Sequence, residues 1–176
     1  MRKEIRIVGV GGQGVVWAAD LIARAALLQK GVKASVSVRY GAEMRGGFSK
    51  ADVVVSDEAD PFPWVTELDA LVIMSVKPLT KSDLRRLKAG APAVVDSGLE
   101  SVSAVNVVRV PAIETSRREL GSDKYANSVV VGYLSRVLGL PSPEHLKRAL
   151  LERTTKSAVE SNLRALELGL QMGTGA

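Results

Sequence analysis

The spacing of apolar and polar positions changes several times along the chain, and each change marks an element. Residues 5–10 are rich in β-branched side chains and end in glycine, which predicts a short buried strand. Over residues 15–30 the apolar positions recur at helical spacing. Val15, Ala19, Ile22 and Ala26 share one face, and Gly31 is a natural stop. Strands are predicted at 33–38 and 51–55. The segment between them is too short for a helical crossover, so the two strands are expected to be antiparallel. Residues 70–75, 93–96 and 105–110 complete the strand candidates. Thr80 and Asp83 frame a helix start, with Leu84 and Leu87 facing inward. The last third turns helical: 126–138, a helix opened by Ser142-Pro143-Glu144, and 157–172 with Val159, Leu163, Leu166 and Leu170 on one side. The pattern predicts one α/β domain over residues 1–176. Its sheet is Rossmann-like, mixed and mostly parallel, flanked by helices, with a helical C-terminal region at about 122–172.

Composition sharpens this picture. The chain has 176 residues, 46% of them hydrophobic but only 4% aromatic, so Ala, Val, Leu and Ile must build the core. That suits helices packed on a buried sheet. It has no cysteine and one histidine, His145. A disulfide framework, a thiolate nucleophile and a cysteine-held cluster in this chain are excluded, as is a multi-histidine metal site. No catalytic residue and no metal ligand is assigned. Charges interrupt every apolar stretch before membrane-spanning length, and the N-terminus has no signal-peptide pattern, so a cytoplasmic protein without membrane contact is expected. The net charge of +5 raises nucleic acid as a partner. The basic residues Lys81, Arg85, Arg86 and Lys88, and the pair Arg117-Arg118, are not interleaved with aromatics and match no nucleic-acid motif, so none is expected.

Two loops carry candidate chemistry. Gly9-Val10-Gly11-Gly12-Gln13-Gly14 has the G-x-G-x-x-G spacing between a strand and a helix. Its glycines permit a tight turn and close approach of a ligand. The helix N-terminus offers unpaired N–H groups to a phosphate or carboxylate. Close strand–helix packing alone is the plain alternative. A dinucleotide site would also want an acid at the end of the second strand, where the chain has Val38-Arg39-Tyr40. The second loop runs from Tyr40 to Gly47. Arg45 stands beside Gly46-Gly47 and has the fork geometry for phosphate or carboxylate. Glu43 can orient it, and Tyr40 adds a flat face with a polar tip. A solvated arginine on an open loop is the plain alternative here. Asn127, near a helix start, is either a cap or a ligand contact. The Phe62-Pro63-Trp64 cluster is either an interface knob or a satellite core.

The two loops in this order, with Val110-Pro111-Ala112 and the helix around Ala126-Asn127, resemble the gamma subunit of 2-oxoacid:ferredoxin oxidoreductases over nearly the whole chain. Pyruvate-type subunits more often carry a basic residue where Val10 stands and Gly-Ala after the arginine. Indolepyruvate-type subunits usually carry histidine where Tyr40 stands. The chain looks most like the 2-oxoglutarate type, with pyruvate and ketoisovalerate types as neighbours. The resemblance implies a complex that oxidatively decarboxylates a 2-oxoacid, forms its acyl-coenzyme A and passes electrons to ferredoxin. Thiamine diphosphate with magnesium is expected on the alpha and beta subunits, and iron–sulfur clusters on beta and delta-type subunits. The gamma subunit is implied to be a companion near the coenzyme A side, inactive by itself, with a homodimer expected in isolation. Under this resemblance Gly9, Gly11, Gly12, Gln13, Gly14, Tyr40, Glu43, Arg45, Gly46, Gly47 and Asn127 become candidates for touching coenzyme A or shaping its entrance. The alternative is a stand-alone nucleotide-binding or regulatory Rossmann-like module.

Overall fold

The computed structural model describes residues 1–43, 46–58, 62–99, 102, 104 and 106–173. Its elements are β1 (Arg2–Val10), α1 (Val15–Leu27), β2 (Lys33–Tyr40), β3 (Phe48–Ser56), β4 (Ala70–Ile73), α2 (Lys81–Arg85), β5 (Ala93–Asp96), β6 (Val107–Val110), α3 (Ala112–Leu120), α4 (Ala126–Leu138), α5 (Pro143–Arg153) and α6 (Lys156–Gln171). The strands lie in the order β2-β3-β1-β4-β5-β6. β1, β4, β5 and β6 are mutually parallel. β3 runs antiparallel to both β1 and β2, as the short connection between β2 and β3 requires.

The sheet separates two apolar clusters. On one side Ile5, Ile7, Ala51, Val53, Val55 and Val72 meet α1 through Val15, Ala18, Ala19, Ile22 and Ala26. The many alanines let this helix lie close to the strands, which is how a chain poor in aromatics still packs. Helix α4 is buried over most of its length, as an all-round apolar helix must be, and lies against α6. On the other side Val8, Val54, Leu71, Ile73 and Val95 meet Val65, Leu68, Leu84 and Leu87.

Several boundaries differ from the pattern. β1 begins at Arg2 rather than residue 5, because it pairs with β3 along its whole length, from Arg2 opposite Ser56 to Val10 opposite Phe48. Helix α1 ends at Leu27 rather than 30. The N–H groups of Leu28 and Gln29 reach back three residues, to Ala25 and Ala26, and so tighten the last turn. Of the strand expected at 105–110, β6 covers Val107–Val110, and Val105 lies outside the described residues. Helix α2 has the reciprocal Thr80–Asp83 capping box but stops at Arg85. Helix α3 has no counterpart in the sequence reading. No helix among the described residues is long and apolar enough to cross a membrane.

Candidate functional site

The glycine loop closes on itself first. The Gln13 N–H donates to the Val10 carbonyl at 3.2 Å. Gly12 and Gly14 adopt φ of 92° and 73°, in the left-handed region that glycine tolerates. A Cβ at Gly9 would lie 2.7 Å from both Gln13 Oε1 and Val15 Cγ2, so a side chain there would displace the Gln13 amide or Val15. Gly14 is the N-cap of α1, with no side-chain cap and no acid in the first turn. The first N–H groups of that helix therefore receive no cap from Gly14 itself.

Gln13 ties this loop to the sheet. Its Oε1 accepts from the Val10 N–H at 2.9 Å, and its Nε2 donates to the Met74 carbonyl at 2.9 Å, just past β4. The chain leaves β1 toward α1 on one side of the sheet and leaves β4 toward α2 on the other. The space between their carboxyl ends is the switch point at which open α/β sheets bind ligands. Here the Gln13 amide bridges it. A cavity of about 160 Å³ remains behind the bridge, bordered by Gly12, Gln13, Met74, Ile113, Asp123 and Lys124. β3 also lies between β1 and β2, so the second strand does not sit beside the glycine loop as it does in dinucleotide folds.

The larger opening lies on the other side of the loop. The Gly11 N–H donates to the Gly47 carbonyl at 2.9 Å, joining the two glycine-containing loops by their backbones. Around that bond is a cavity of about 610 Å³, with Gly11 and Gly12 on one wall and Tyr40, Gly41, Glu43, Gly46, Gly47 and Phe48 on the other. Gly41 N–H bonds the Phe48 carbonyl at 2.8 Å, extending the β2–β3 ladder into the loop. The Glu43 carboxylate folds over Gly41 and Gly47, into space that side chains there would fill. Tyr40 is 66% exposed and Phe48 40% exposed, so two aromatic rings stand at the mouth. The combination puts close-lying glycine backbone and aromatic surface within one cavity, which suits a ligand with a flat apolar part.

The structure thus gathers Gly11, Gly12, Tyr40, Glu43, Gly46 and Gly47 around one cavity. Gly9, Gln13 and Gly14 shape the loop behind it. Asn127 packs against Gly14, where a Cβ would collide with its amide, so α4 buttresses the start of α1. The cap of α4 is Tyr125, and Asn127 Oδ1 instead accepts from the Ser128 N–H at 2.8 Å. Arg45 lies outside the described residues. Phe48 and Met74 are site residues that sequence reasoning missed. Phe48 carries a readable signal, an aromatic next to Gly-Gly. The Met74 carbonyl carries none.

Polar and aromatic residues outside the two loops have local roles. Asp96 Oδ1 accepts from Gly98 N–H at 3.0 Å and Oδ2 from Ile113 N–H at 2.9 Å, so this buried carboxylate holds its own turn and the start of α3. Arg117 pairs with Asp123 and Arg118 with Glu119, and Lys88 pairs with Asp69, which breaks up both basic clusters. His145 is half-buried in the first turn of α5, and Trp17 is half-buried against the main core. Among the described residues no group of three or more histidine and acidic side chains is arranged to hold a metal ion.

Comparison with known proteins agrees with this architecture. The chain is 36% identical over 177 residues to 2-oxoglutarate synthase subunit KorC of Methanocaldococcus jannaschii, covering 98% of this chain and 94% of that one. It is 34% identical over 174 residues to ketoisovalerate oxidoreductase subunit VorA of Methanothermobacter thermautotrophicus, of which the match spans 36%. The keto/oxoacid ferredoxin oxidoreductase gamma subunit from Geobacter sulfurreducens superposes with a TM-score of 0.83 at 33% identity, over 97% of this chain and 95% of that one. The family described as pyruvate ferredoxin/flavodoxin oxidoreductase matches residues 4–172, and the chain belongs to that family.

Proposed function

We propose that this chain is the gamma-type companion subunit of a 2-oxoacid:ferredoxin oxidoreductase, with 2-oxoglutarate as the 2-oxoacid, and that the cavity between its two glycine loops contacts coenzyme A. The single observation that carries the second part is the Gly11–Gly47 bond, because it brings the glycine loop that leads into α1 and the Tyr40–Phe48 mouth into one cavity. The 2-oxoglutarate assignment draws on similarity to subunits named 2-oxoglutarate synthase.

The chemistry divides among chains. The overall reaction converts 2-oxoacid and coenzyme A to acyl-coenzyme A and carbon dioxide, with the thiol proton released and two electrons leaving to ferredoxin. Thiamine diphosphate, held with magnesium by the alpha and beta subunits, supplies the decarboxylation. Clusters on partner subunits carry the electrons, because this chain has no cysteine for them. The residues of this chain bind and orient. The loop amides and the positive end of α1 attract phosphate. Tyr40 and Phe48 offer faces for the adenine ring. Arg45, carried over from the family pattern, adds a fork for a phosphate.

The test is kinetic, on the complete complex carrying Arg45→Ala. Loss of a charge-assisted contact of about 1.5–3 kcal/mol raises the KM for coenzyme A roughly ten- to a hundredfold, with kcat and the KM for the 2-oxoacid little changed. An unchanged KM for coenzyme A overturns the contact. Failure to co-purify with thiamine-diphosphate-bearing subunits overturns the companion role and favours the stand-alone module.

A further inference from the structure

The two faces of the sheet are finished differently. One is sealed by helices. The other is sealed by apolar side chains along β4 and β5 and at Val8 and Val54 of β1 and β3, and over the rest of β1, β3 and β2 it carries charge. There the Arg6 guanidinium forks onto Asp52, with Nε and Nη2 at 2.6 and 2.7 Å from its two oxygens, and gives Nη1 to Asp83 at 2.9 Å. Lys50 takes the other Asp83 oxygen at 2.6 Å. These four groups are buried and satisfy one another.

Two further arginines stand at the margin of that network. Arg39, on edge strand β2, is 3.4 Å from an Asp52 oxygen that already has a shorter bond from Arg6. Arg86 gives Nη1 to the Val65 and Thr66 carbonyls, not to a carboxylate. Both line a groove of about 530 Å³ together with Ser37, Asp52 and Trp64. Trp64 is 59% exposed and Phe62 56% exposed, in a chain with few aromatics. Their segment is pinned: Arg2 donates to the Trp64 carbonyl at 3.0 Å and Ser35 Oγ to the Pro63 carbonyl at 3.2 Å. A pinned aromatic anchor beside arginines with spare charge is the composition of an interface hot spot.

We propose that this groove docks an acidic segment of a partner oxidoreductase subunit. Carboxylates of the segment pair with Arg39 and Arg86, and an apolar side chain lies on Trp64. Charge complementarity commits the groove to an acidic occupant. The unpaired edge of β2 favours an extended segment over a small ligand. The proposal rests on the companion-subunit reading.

The test co-expresses the full set of subunits with the tag on a thiamine-diphosphate-bearing chain. Wild type is retained in stoichiometric amount, and Arg39→Glu and Trp64→Ala each lower retention at least tenfold. Arg148→Glu, on the far helix α5, is retained. Arg39→Glu removes the 3.4 Å contact to Asp52 and sets a second carboxylate beside it, so its retention is read against its thermal midpoint, and Trp64→Ala, which breaks no ion pair, keeps the test independent of a folding defect. Full retention of Arg39→Glu and Trp64→Ala overturns the surface alone. A wild-type chain left behind overturns the companion reading and the surface with it. Self-association of the isolated chain, abolished by Arg39→Glu while the complex stays intact, gives the groove to a second copy and overturns the acidic partner.

Discussion

Gln13 donates its side-chain amide to the Met74 carbonyl at 2.9 Å, and this one bond spans the point where the connections from β1 and β4 part to opposite faces of the sheet. The same side chain accepts from the Val10 N–H. Gln13→Ala leaves two part-buried backbone groups without their partners. The expected loss is about 1–3 kcal/mol of stability, read as a lower urea midpoint at unchanged slope. Gln13→Glu keeps the acceptor for Val10 but sets a carboxylate oxygen against the Met74 carbonyl, so it does not rescue the loss.

Gly132 and Gly169 set the approach of α4 to α6. A Cβ at Gly132 would collide with the Leu166 carbonyl, and one at Gly169 with the Val129 carbonyl and, at 2.9 Å, the Tyr133 N–H. Helix propensity favours Ala over Gly by about 1 kcal/mol. The obstructing atoms are backbone and cannot swing aside, so the clash outweighs that gain. Gly169→Ala is expected to destabilise by about 1–3 kcal/mol net, whereas propensity alone predicts stabilisation. The sign of the shift in thermal midpoint decides between them.

Much of this fold was legible because its determinants are local. The Thr80–Asp83 capping box lies within one turn, and so does the Ser142 cap, whose Oγ accepts from the His145 N–H at 3.2 Å. The antiparallel β2–β3 pair followed from the length of its connection. Helix α3 was not legible. It buries Ala112, Thr115 and Ser116, which make no apolar stripe, and the Ile113 N–H in its first turn is satisfied by Asp96 from β5. The site divides in the same way. The glycines were visible as motifs, whereas the Gly11–Gly47 bond, the Gln13 bridge and the Asn127 buttress are contacts between distant segments that no spacing encodes.

The buried charge network gives stability an acid limit. Burial pushes Asp83 toward the neutral form, but hydrogen bonds from Lys50 and Thr80 outweigh it, and the carboxyl is held below its ordinary value. A carboxylate with a depressed folded pKa stabilises fully above its unfolded value, about 3.9, and loses that contribution as pH falls through the folded value. Asp69 acts in the same direction. Burial opposes it, and bonds from Lys88, the Glu4 N–H and Lys3 outweigh the burial. Stability is therefore expected to be flat from pH 7 to about 5 and to fall below about 4. Asp83→Asn strands Lys50 and leaves Arg6 with Asp52 alone, at a cost of about 3–5 kcal/mol at pH 7. The gap between variant and wild type then narrows as pH drops, which urea midpoints between pH 3 and 7 measure.

Tyr40 separates binding from stability. It is 66% exposed and packs against little, so Tyr40→Ala is expected to change stability by less than about 0.5 kcal/mol. If its ring faces the adenine of coenzyme A, removing it costs about 1 kcal/mol of aromatic contact, or roughly a fivefold rise in KM for coenzyme A. Tyr40→Phe keeps the face and restores the wild-type KM, which a purely structural role for the hydroxyl would not allow. On that proposal the KM for the 2-oxoacid is expected to stay unchanged in both, because the ring would act on the carrier and not on the carbonyl substrate. A parallel rise in both KM values would place Tyr40 in the packing of the complex rather than against coenzyme A.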